Sequence, residues 1–272
     1  MTSVTSMDFI AARDLDEALE AKAYDPSSEF LAGGTDLMVE VNLAHHRPTS
    51  VISLRRVRQL RESRSNRIGA GVTWAELEHG PHVGLAQAAR TVGSPQIRAT
   101  GTIGGNVATA SPAGDGLPWI AAADASIAIE SSARGERVLP WNEFFTGVKR
   151  TALEPDEIVT AVVVPGDVPA TQAFAKVGAR NAMVISTVSC LVMRGDSGFR
   201  IALGSVAPTP IRMPRAEQIL NAERSPSQAT LREVARIVSE DVTPITDHRS
   251  TEAYRRHASG LLARRLVERC LR

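Results

Sequence analysis

The sequence predicts an α+β protein, with α/β lobes up to about residue 167 followed by a smaller C-terminal α+β domain. Three observations carry this. Strand-like and helix-like segments alternate through the first third of the chain. Strands precede helices in the last third. Pro165-Gly-Asp-Val-Pro169, with two prolines and a glycine in five residues, punctuates the change. The length of 272 residues suits one large or two ordinary domains. We place the division at 1–167 and 168–272, with two lobes of about 1–56 and 57–167 in the first part.

Taken in order, Phe9-Ile10 suits a short strand. Asp14 with Glu17 three residues on predicts a helix start, and Leu15, Ala18 and Leu19 supply its apolar spacing. Glu29 to Ala32 reads as a buried strand running into Gly33-Gly34. Helical spacing follows through Leu37, Met38 and Val41, and Ser50 to Leu54 is a third strand. Ile68 to Gly71 reads as a strand end, Thr73 with Glu76 as a capping box, and Val83 to Val92 as an amphipathic helix. A glycine turn, Gly101 to Asn106, leads to a helix over Leu117–Ala123 and to strands over Ser126–Glu130 and Ile158–Val164. Beyond the linker, Phe174–Val177, Val184–Met193 and Phe199–Val206 read as strands. Helices are expected over 216–221, 227–239 and 250–271. In the last of these, Tyr254, Ala258, Leu261, Leu262, Leu266 and Cys270 share one face and most arginines the other.

Composition excludes several classes. Lys+Arg 31 against Asp+Glu 30 leaves +1, too little to gather nucleic acid or acidic lipid. Aromatics at 4% make a poor platform for stacking bases. The longest uncharged apolar run, Ala182 to Met193, is too short for a membrane span, and the N-terminus lacks a signal-peptide pattern. Cys190 and Cys270 cannot hold a four-cysteine cluster, and Cys190 reads as a core residue. The expectation is a soluble, cytoplasmic, reduced protein. His45-His46 and His79-x-x-His82 lack companion ligands, so we read them as solvated loop histidines and expect no metal site. No nucleophile constellation stands out, so no catalytic residue is assigned. Arg55, Arg56, Arg58, Arg61, Arg64 and Arg67 read as a solvated face, with a partner-docking surface as the alternative.

The two glycine clusters are the informative features. Ala32-Gly33-Gly34-Thr35-Asp36 lies between a predicted strand and a predicted helix. There, glycine lets the backbone turn and lets an anion approach its N–H groups. Thr102-Ile103-Gly104-Gly105-Asn106 flanks a second glycine pair with a hydroxyl and an amide. Taken singly, each pair reads as a tight turn, and neither fits Gly-x-Gly-x-x-Gly or the Gly-Lys-Ser/Thr phosphate loop.

Their surroundings say more. Leu31 to Leu37, Ser94-Pro-Gln-Ile-Arg98 running into Gly101 to Asn106, and Ala110-Ser-Pro-Ala-Gly-Asp115 resemble the FAD-binding subunit of molybdenum hydroxylases. That family includes the medium subunit of carbon monoxide dehydrogenase and the flavin segment of xanthine dehydrogenase. The likeness continues through Phe144 to Thr151, Leu153 to Ile158, Ala173 to Gly178, Ile201 to Pro210 and Ala253 to Arg256. It implies a flavin-binding region of the PCMH, vanillyl-alcohol-oxidase type, then a C-terminal domain like that of carbon monoxide dehydrogenase flavoproteins.

The resemblance also implies roles. Residues 32–36 and 102–106 would wrap the FAD pyrophosphate, chiefly through backbone N–H groups, with Thr35, Thr102 and Asn106 adding side-chain donors. Asp115 would bond sugar hydroxyls, Ile158 and Val159 would pass the adenine or flavin, and Lys176 would lie near the isoalloxazine ring. Lys176 is one of only three lysines, and an ammonium there suits a reduced flavin's negative charge. The plain readings are a surface lysine on an edge strand and, for Asp115, a cap on the helix beginning at 116 or 117. The implied partners are a molybdenum-cofactor large subunit and an iron–sulfur small subunit. Electrons would leave to NAD or another acceptor. The two distant cysteines exclude the inserted cluster of 4-hydroxybenzoyl-CoA reductase flavin subunits. A stand-alone FAD-dependent oxidoreductase and a non-catalytic binding module remain as alternatives.

Overall fold

The computed structural model describes residues 7–64, 66–181 and 183–272. Residues 1–6, which carry the reading of the N-terminus, and Ala182, where the long apolar run begins, lie outside them.

β1 (Asp8–Ala11), α1 (Leu15–Tyr24), β2 (Glu29–Leu31), α2 (Leu37–Asn42) and β3 (Ser50–Ser53) build a parallel sheet in the order β1-β3-β2. Asp14 caps α1 by accepting the Glu17 N–H at 2.9 Å. Ala11 and Leu31 both stand opposite Ser53. The chain therefore leaves this sheet at Arg13, Gly33 and Arg55 along one edge, the carboxyl edge, where open parallel sheets hold ligands.

The second lobe departs from the alternating pattern. Its strands β4 (Ser63–Arg64), β5 (Arg67–Gly69), β6 (Ser126–Ser131), β7 (Gly135–Pro140) and β10 (Ile158–Val163) form an antiparallel sheet, ordered β4-β5-β10-β6-β7. Between them run α3 (Trp74–Leu77), α4 (Val83–Ala89), α5 (Pro95–Thr100), α6 (Ile103–Thr109), α7 (Leu117–Ala122), α8 (Trp141–Phe144) and the ribbon β8 (Phe145–Gly147) with β9 (Arg150–Thr151). Thr73 and Glu76 form the expected capping box. The Gly101 to Asn106 turn is a correction. Thr102 caps α6 by accepting the Gly105 N–H, so both glycines of that pair lie inside a helix. Gly104 is small because α6 lies hard against the residue that follows β5. A Cβ on Gly104 would stand 2.5 Å from Ala70 Cβ and 2.6 Å from its carbonyl oxygen.

Beyond residue 170, β11 (Thr171–Val177), β12 (Val188–Gly195), β13 (Gly198–Gly204) and β14 (Ile211–Arg212) make an antiparallel sheet covered by α9 (Pro214–Asn221), α10 (Gln228–Asp241) and α11 (Glu252–Leu271). Side chains alternate between its faces. Phe174, Leu191, Met193 and Ala202 join the core of the preceding lobe, whereas Ala173, Cys190, Val192, Ile201 and Leu203 join the core beneath the three helices. Burial on both faces explains the unbroken apolar run. That run is strand only from Val188. Residues 184–187 precede the strand as an irregular segment, with Ser186 and Thr187 buried and their polar groups bonded to other elements. The segment around Pro165 to Pro169 is also tied down, since Arg200 pairs with Asp167 at 3.0 Å.

In α11 the buried face differs from the expected one. Tyr254 is about half exposed, and Arg255 is buried, bonding Thr187 O at 2.6 Å, Ser205 O at 3.0 Å and Asp247 at 2.8 Å. Gly260 sets that rotation by letting α11 close onto the Ala235 carbonyl of α10. Cys190 is fully buried, as expected, and burial pushes its thiol pKa up.

Candidate functional site

A cleft of about 600 Å³, within the usual range for small-molecule sites, opens between the parallel sheet and the second lobe. Ala32, Gly33 and Gly34 line it from the carboxyl end of β2. Thr102, Gly104 and Gly105 line it from the start of α6, and Ile158 and Val159 from β10. The register of β10 shifts between Val159 and Ala161, an irregularity of the kind that re-aims a strand beside a site. Gly34 has φ +69°, which explains a glycine there, and Gly33 lies against the Thr100–Gly101 backbone, where no side chain fits.

The two glycine segments are not equivalent. Among the described residues nothing accepts from the N–H groups of Gly33, Gly34, Thr35 or Asp36, a run of four free donors whose first two belong to the cleft lining. In the second segment the Ile103 N–H donates to Val72 O at 3.0 Å, Gly104 to Ala70 O at 2.8 Å and Gly105 to Thr102 Oγ1 at 3.0 Å. Its amides hold the fold together. What it offers the cleft is room, because a Cβ on Gly105 would meet only Thr102 Oγ1, at 3.3 Å.

Several expected residues lie elsewhere. Thr35 and Asp36 do not line the cleft. The Thr35 hydroxyl packs near Gly101, and Asp36 accepts from Thr109 Oγ1 at 3.1 Å, tying α2 to α6. Ile103 is fully buried in the core. The Asn106 amide sits under Gly114 and Gly116, and its Oδ1 is buried with no partner among the described residues.

Asp115 and Lys176 meet each other at the junction with the C-terminal sheet, away from the cleft lining. Their ion pair spans 2.6 Å, with Lys176 9% and Asp115 7% exposed. Lys176 Nζ also donates to Thr91 O at 2.9 Å and Val184 O at 3.1 Å, and Ser186 Oγ donates to Asp115 Oδ1 at 2.5 Å. Lys176 is thus no surface residue although β11 is an edge strand, and Asp115 does not cap α7. Burial pushes the Asp115 carboxyl up, while Lys176, Ser186 and Thr91 pull it the other way.

Sequence reading missed the apolar lining from Phe30, Leu54, Leu60 and Leu153, and the two guanidiniums of Arg55 and Arg61 at the mouth. Apolar residues at strand ends carry no mark that separates lining from core. The histidines need one correction. His46 pairs with Glu29 and His45 lies 3.5 Å from Glu40, but His82 is half-buried against Trp119, ring centroids 4.9 Å apart. Among the described residues no three His, Cys, Asp or Glu side chains converge as a metal site requires, and no helix is long and apolar enough to cross a membrane.

A parallel sheet, an antiparallel lobe with a donor-lined cleft between them, and a helix-covered sheet behind make up the architecture, and matches to known families place it in a flavoprotein class. A family model described as the FAD binding domain in molybdopterin dehydrogenase matches residues 5–167, and one for the CO dehydrogenase flavoprotein C-terminal domain matches residues 172–270. The chain belongs to the FAD-binding subunits of the molybdenum-hydroxylase family, of the xanthine and carbon monoxide dehydrogenase type.

Similar proteins include the putative xanthine dehydrogenase FAD-binding subunit of Escherichia coli K12, 33% identical over 274 residues that cover 94% of this chain and 93% of that one. The nicotinate dehydrogenase FAD-subunit of Eubacterium barkeri is 35% identical over 234 residues, 78% and 79% of the two chains. Among solved structures, carbon monoxide dehydrogenase from Hydrogenophaga pseudoflava superposes with TM-score 0.88 at 28% identity, covering 96% of both chains. Quinoline 2-oxidoreductase from Pseudomonas putida 86 shares the fold, with TM-score 0.90 at 24% identity, over 98% and 97% of the chains.

The residues present suit the flavin dinucleotide this fold implies. The free amides of Gly33 and Gly34 can face its doubly charged linker, a glycine-lined wall leaves it space, and the apolar lining suits a planar ring.

Proposed function

We propose that this chain is the electron-transfer flavoprotein subunit of a molybdenum-dependent dehydrogenase. Its partners would be a large subunit with the molybdenum cofactor, where substrate is hydroxylated, and a small subunit with iron–sulfur clusters. The observation that carries the reading is the run of unpartnered N–H groups that starts at Gly33 and Gly34 in the cleft lining and continues through Thr35 and Asp36. These amides would hold the FAD pyrophosphate, Thr102 and Gly105 would form its opposite wall, and Ile158, Val159 and Leu153 would pack against a ring. When bound, FAD supplies a carrier able to accept electrons singly and release them in pairs, to NAD or another acceptor.

The chain's own residues place and shield that carrier. Asp36 with Thr109 fixes the first loop relative to α6, and the Asp115–Lys176 pair fixes the lobe against the C-terminal sheet. In this reading Asp115 and Lys176 act through that junction, as an ion pair outside the cleft lining, rather than by touching the ring. The division near residue 167 follows the change of sheet and is proposed as the boundary between the flavin-binding and C-terminal units.

Gly105→Val tests the reading, since the added methyls enter the cleft rather than the core. The purified wild-type chain is expected to bind FAD near one to one. The variant should keep its thermal midpoint and lose flavin. A variant that stays yellow at full stoichiometry refutes the placement, and a wild type that takes up no FAD refutes the function. Copurification with a molybdenum chain and a cluster chain separates the subunit from a stand-alone flavin oxidoreductase.

A further inference from the structure

A second concavity, of about 760 Å³, adjoins the mouth of the cleft and is lined by Arg13, Arg55, Arg56, Arg58 and Arg61 alone. Register brings them together. Ala11 and Ser53 are partners on adjacent parallel strands, so Arg13 and Arg55, each two residues further on, emerge side by side. Buried Val57 and Leu60 then pin the following turn, and Val57 N–H donates to Leu54 O at 3.1 Å. With those two side chains inward, Arg55, Arg56, Arg58 and Arg61 stay outside, all exposed.

Arg13 pairs with Glu17 at 2.9 Å and Arg61 with Glu76 at 2.7 Å, both solvent-accessible pairs. Among the described residues Arg55, Arg56 and Arg58 have no carboxylate partner. Three uncompensated charges therefore stand together on a chain whose net charge is only +1. Like charges held this close repel one another, and an anionic occupant relieves that cost.

We propose that this concavity docks an acidic segment of a partner protein, a short run of Asp and Glu side chains. Two features select that chemistry. The opening is far larger than one phosphate and is ringed by five separate guanidiniums, which suits several carboxylates spaced along a chain. It also contains no aromatic side chain, the usual platform for a run of nucleotide bases, and the single-strand competition below tests stacking on the guanidinium planes themselves. The proposal rests on charge and strand register, and it stands whether or not the cleft holds a flavin.

The test uses the full chain and a fluorescein-labelled decaglutamate peptide, followed by anisotropy at low and at physiological salt. Saturable one-to-one binding is expected, weakening as salt rises. The R56Q/R58Q variant should bind at least tenfold more weakly with unchanged flavin content, since neither residue lines the cleft. In a second variant, R56E/R58E, a decalysine peptide should gain affinity. Binding to wild type should survive saturation with FAD. Absence of saturable binding, equal binding by R56Q/R58Q, loss on FAD saturation, or stoichiometric displacement by inorganic pyrophosphate or a ten-nucleotide single strand would each overturn the proposal.

Discussion

Gly33→Ala is the sharpest single perturbation of the cleft. A Cβ on Gly33 would overlap the Thr100 carbonyl oxygen outright, and would stand 2.5 Å from its carbon and 2.9 Å from Gly101 Cα. All three obstacles are backbone, so no rotamer change relieves them. The overlap with the carbonyl oxygen is the deepest of the three, so restoring ordinary contact of about 3.5 Å means that the first glycine loop and the α5–α6 connection separate by about 1.5 Å. Overpacking of this kind costs about 1–3 kcal/mol of stability, which a domain of this size tolerates. Binding should suffer as well: amides moved about 1.5 Å off a shared ligand lose their hydrogen bonds, about 0.5–1.5 kcal/mol each, and two such losses amount to about 10- to 100-fold.

The expected outcome is therefore a folded protein whose FAD dissociation constant rises about 10- to 100-fold, read by titrating the flavin-free chain and following flavin fluorescence. Gly166→Ala is the matched control: its Cβ would meet nothing within 4 Å, and its φ lies outside the left-handed region. It should leave both affinity and thermal midpoint unchanged. If Gly33→Ala binds FAD as the control does, the two loops do not face a common ligand and the cleft assignment fails.

Three further outcomes follow from the same structure. Lys176→Met leaves the Asp115 carboxylate buried without its ammonium and should lower stability by about 3–5 kcal/mol. Asp115→Asn in the same chain should recover part of that loss in denaturant unfolding, and full additivity would mean the two side chains do not interact. Burial against Trp119 depresses the His82 pKa below its ordinary 6.5. The folded state therefore prefers the neutral ring, and its contribution is present above pH 6.5 and lost as pH falls through the depressed value. Thermal midpoints of wild type should drop between pH 7 and 5 more than those of His82→Phe, and parallel curves would refute this. Burial pushes the Cys190 thiol up, and that of Cys270 up to about 11, so neither should react with a thiol reagent at pH 8 until the protein unfolds. Rapid reaction of the native protein would contradict the packing of β12 against α11.

Some of this protein is written locally in its chain. The helix starts read at Asp14 and Thr73 depend on residues three apart, and the structure contains both caps. Gly34 marks a backbone turn with positive φ that few other residues adopt, so its place at the end of β2 was legible. The family likeness was equally readable, because it rests on ordered short motifs along nearly the whole length. What stayed hidden depends on distant partners. Nothing near Gly104 in sequence shows that Ala70 will lie against it, and so a pair that looks like a turn became the first turn of a helix. The free amides of Gly33 to Asp36 and the engaged ones of Ile103 to Gly105 are indistinguishable as residue types, and only the acceptors at Ala70, Val72 and Thr102 separate them.

Asp115 and Lys176, sixty-one residues apart, each had a plausible local role, and both roles gave way once folding buried the two charges together. The arginine concavity has the same origin: Arg13 and Arg55 converge because β1 and β3 pair in one register. Local sequence determines conformation where the interacting groups lie within a turn of one another. Burial, pairing and the shape of a cleft belong to contacts between segments whose separation along the chain carries no record of their closeness in space.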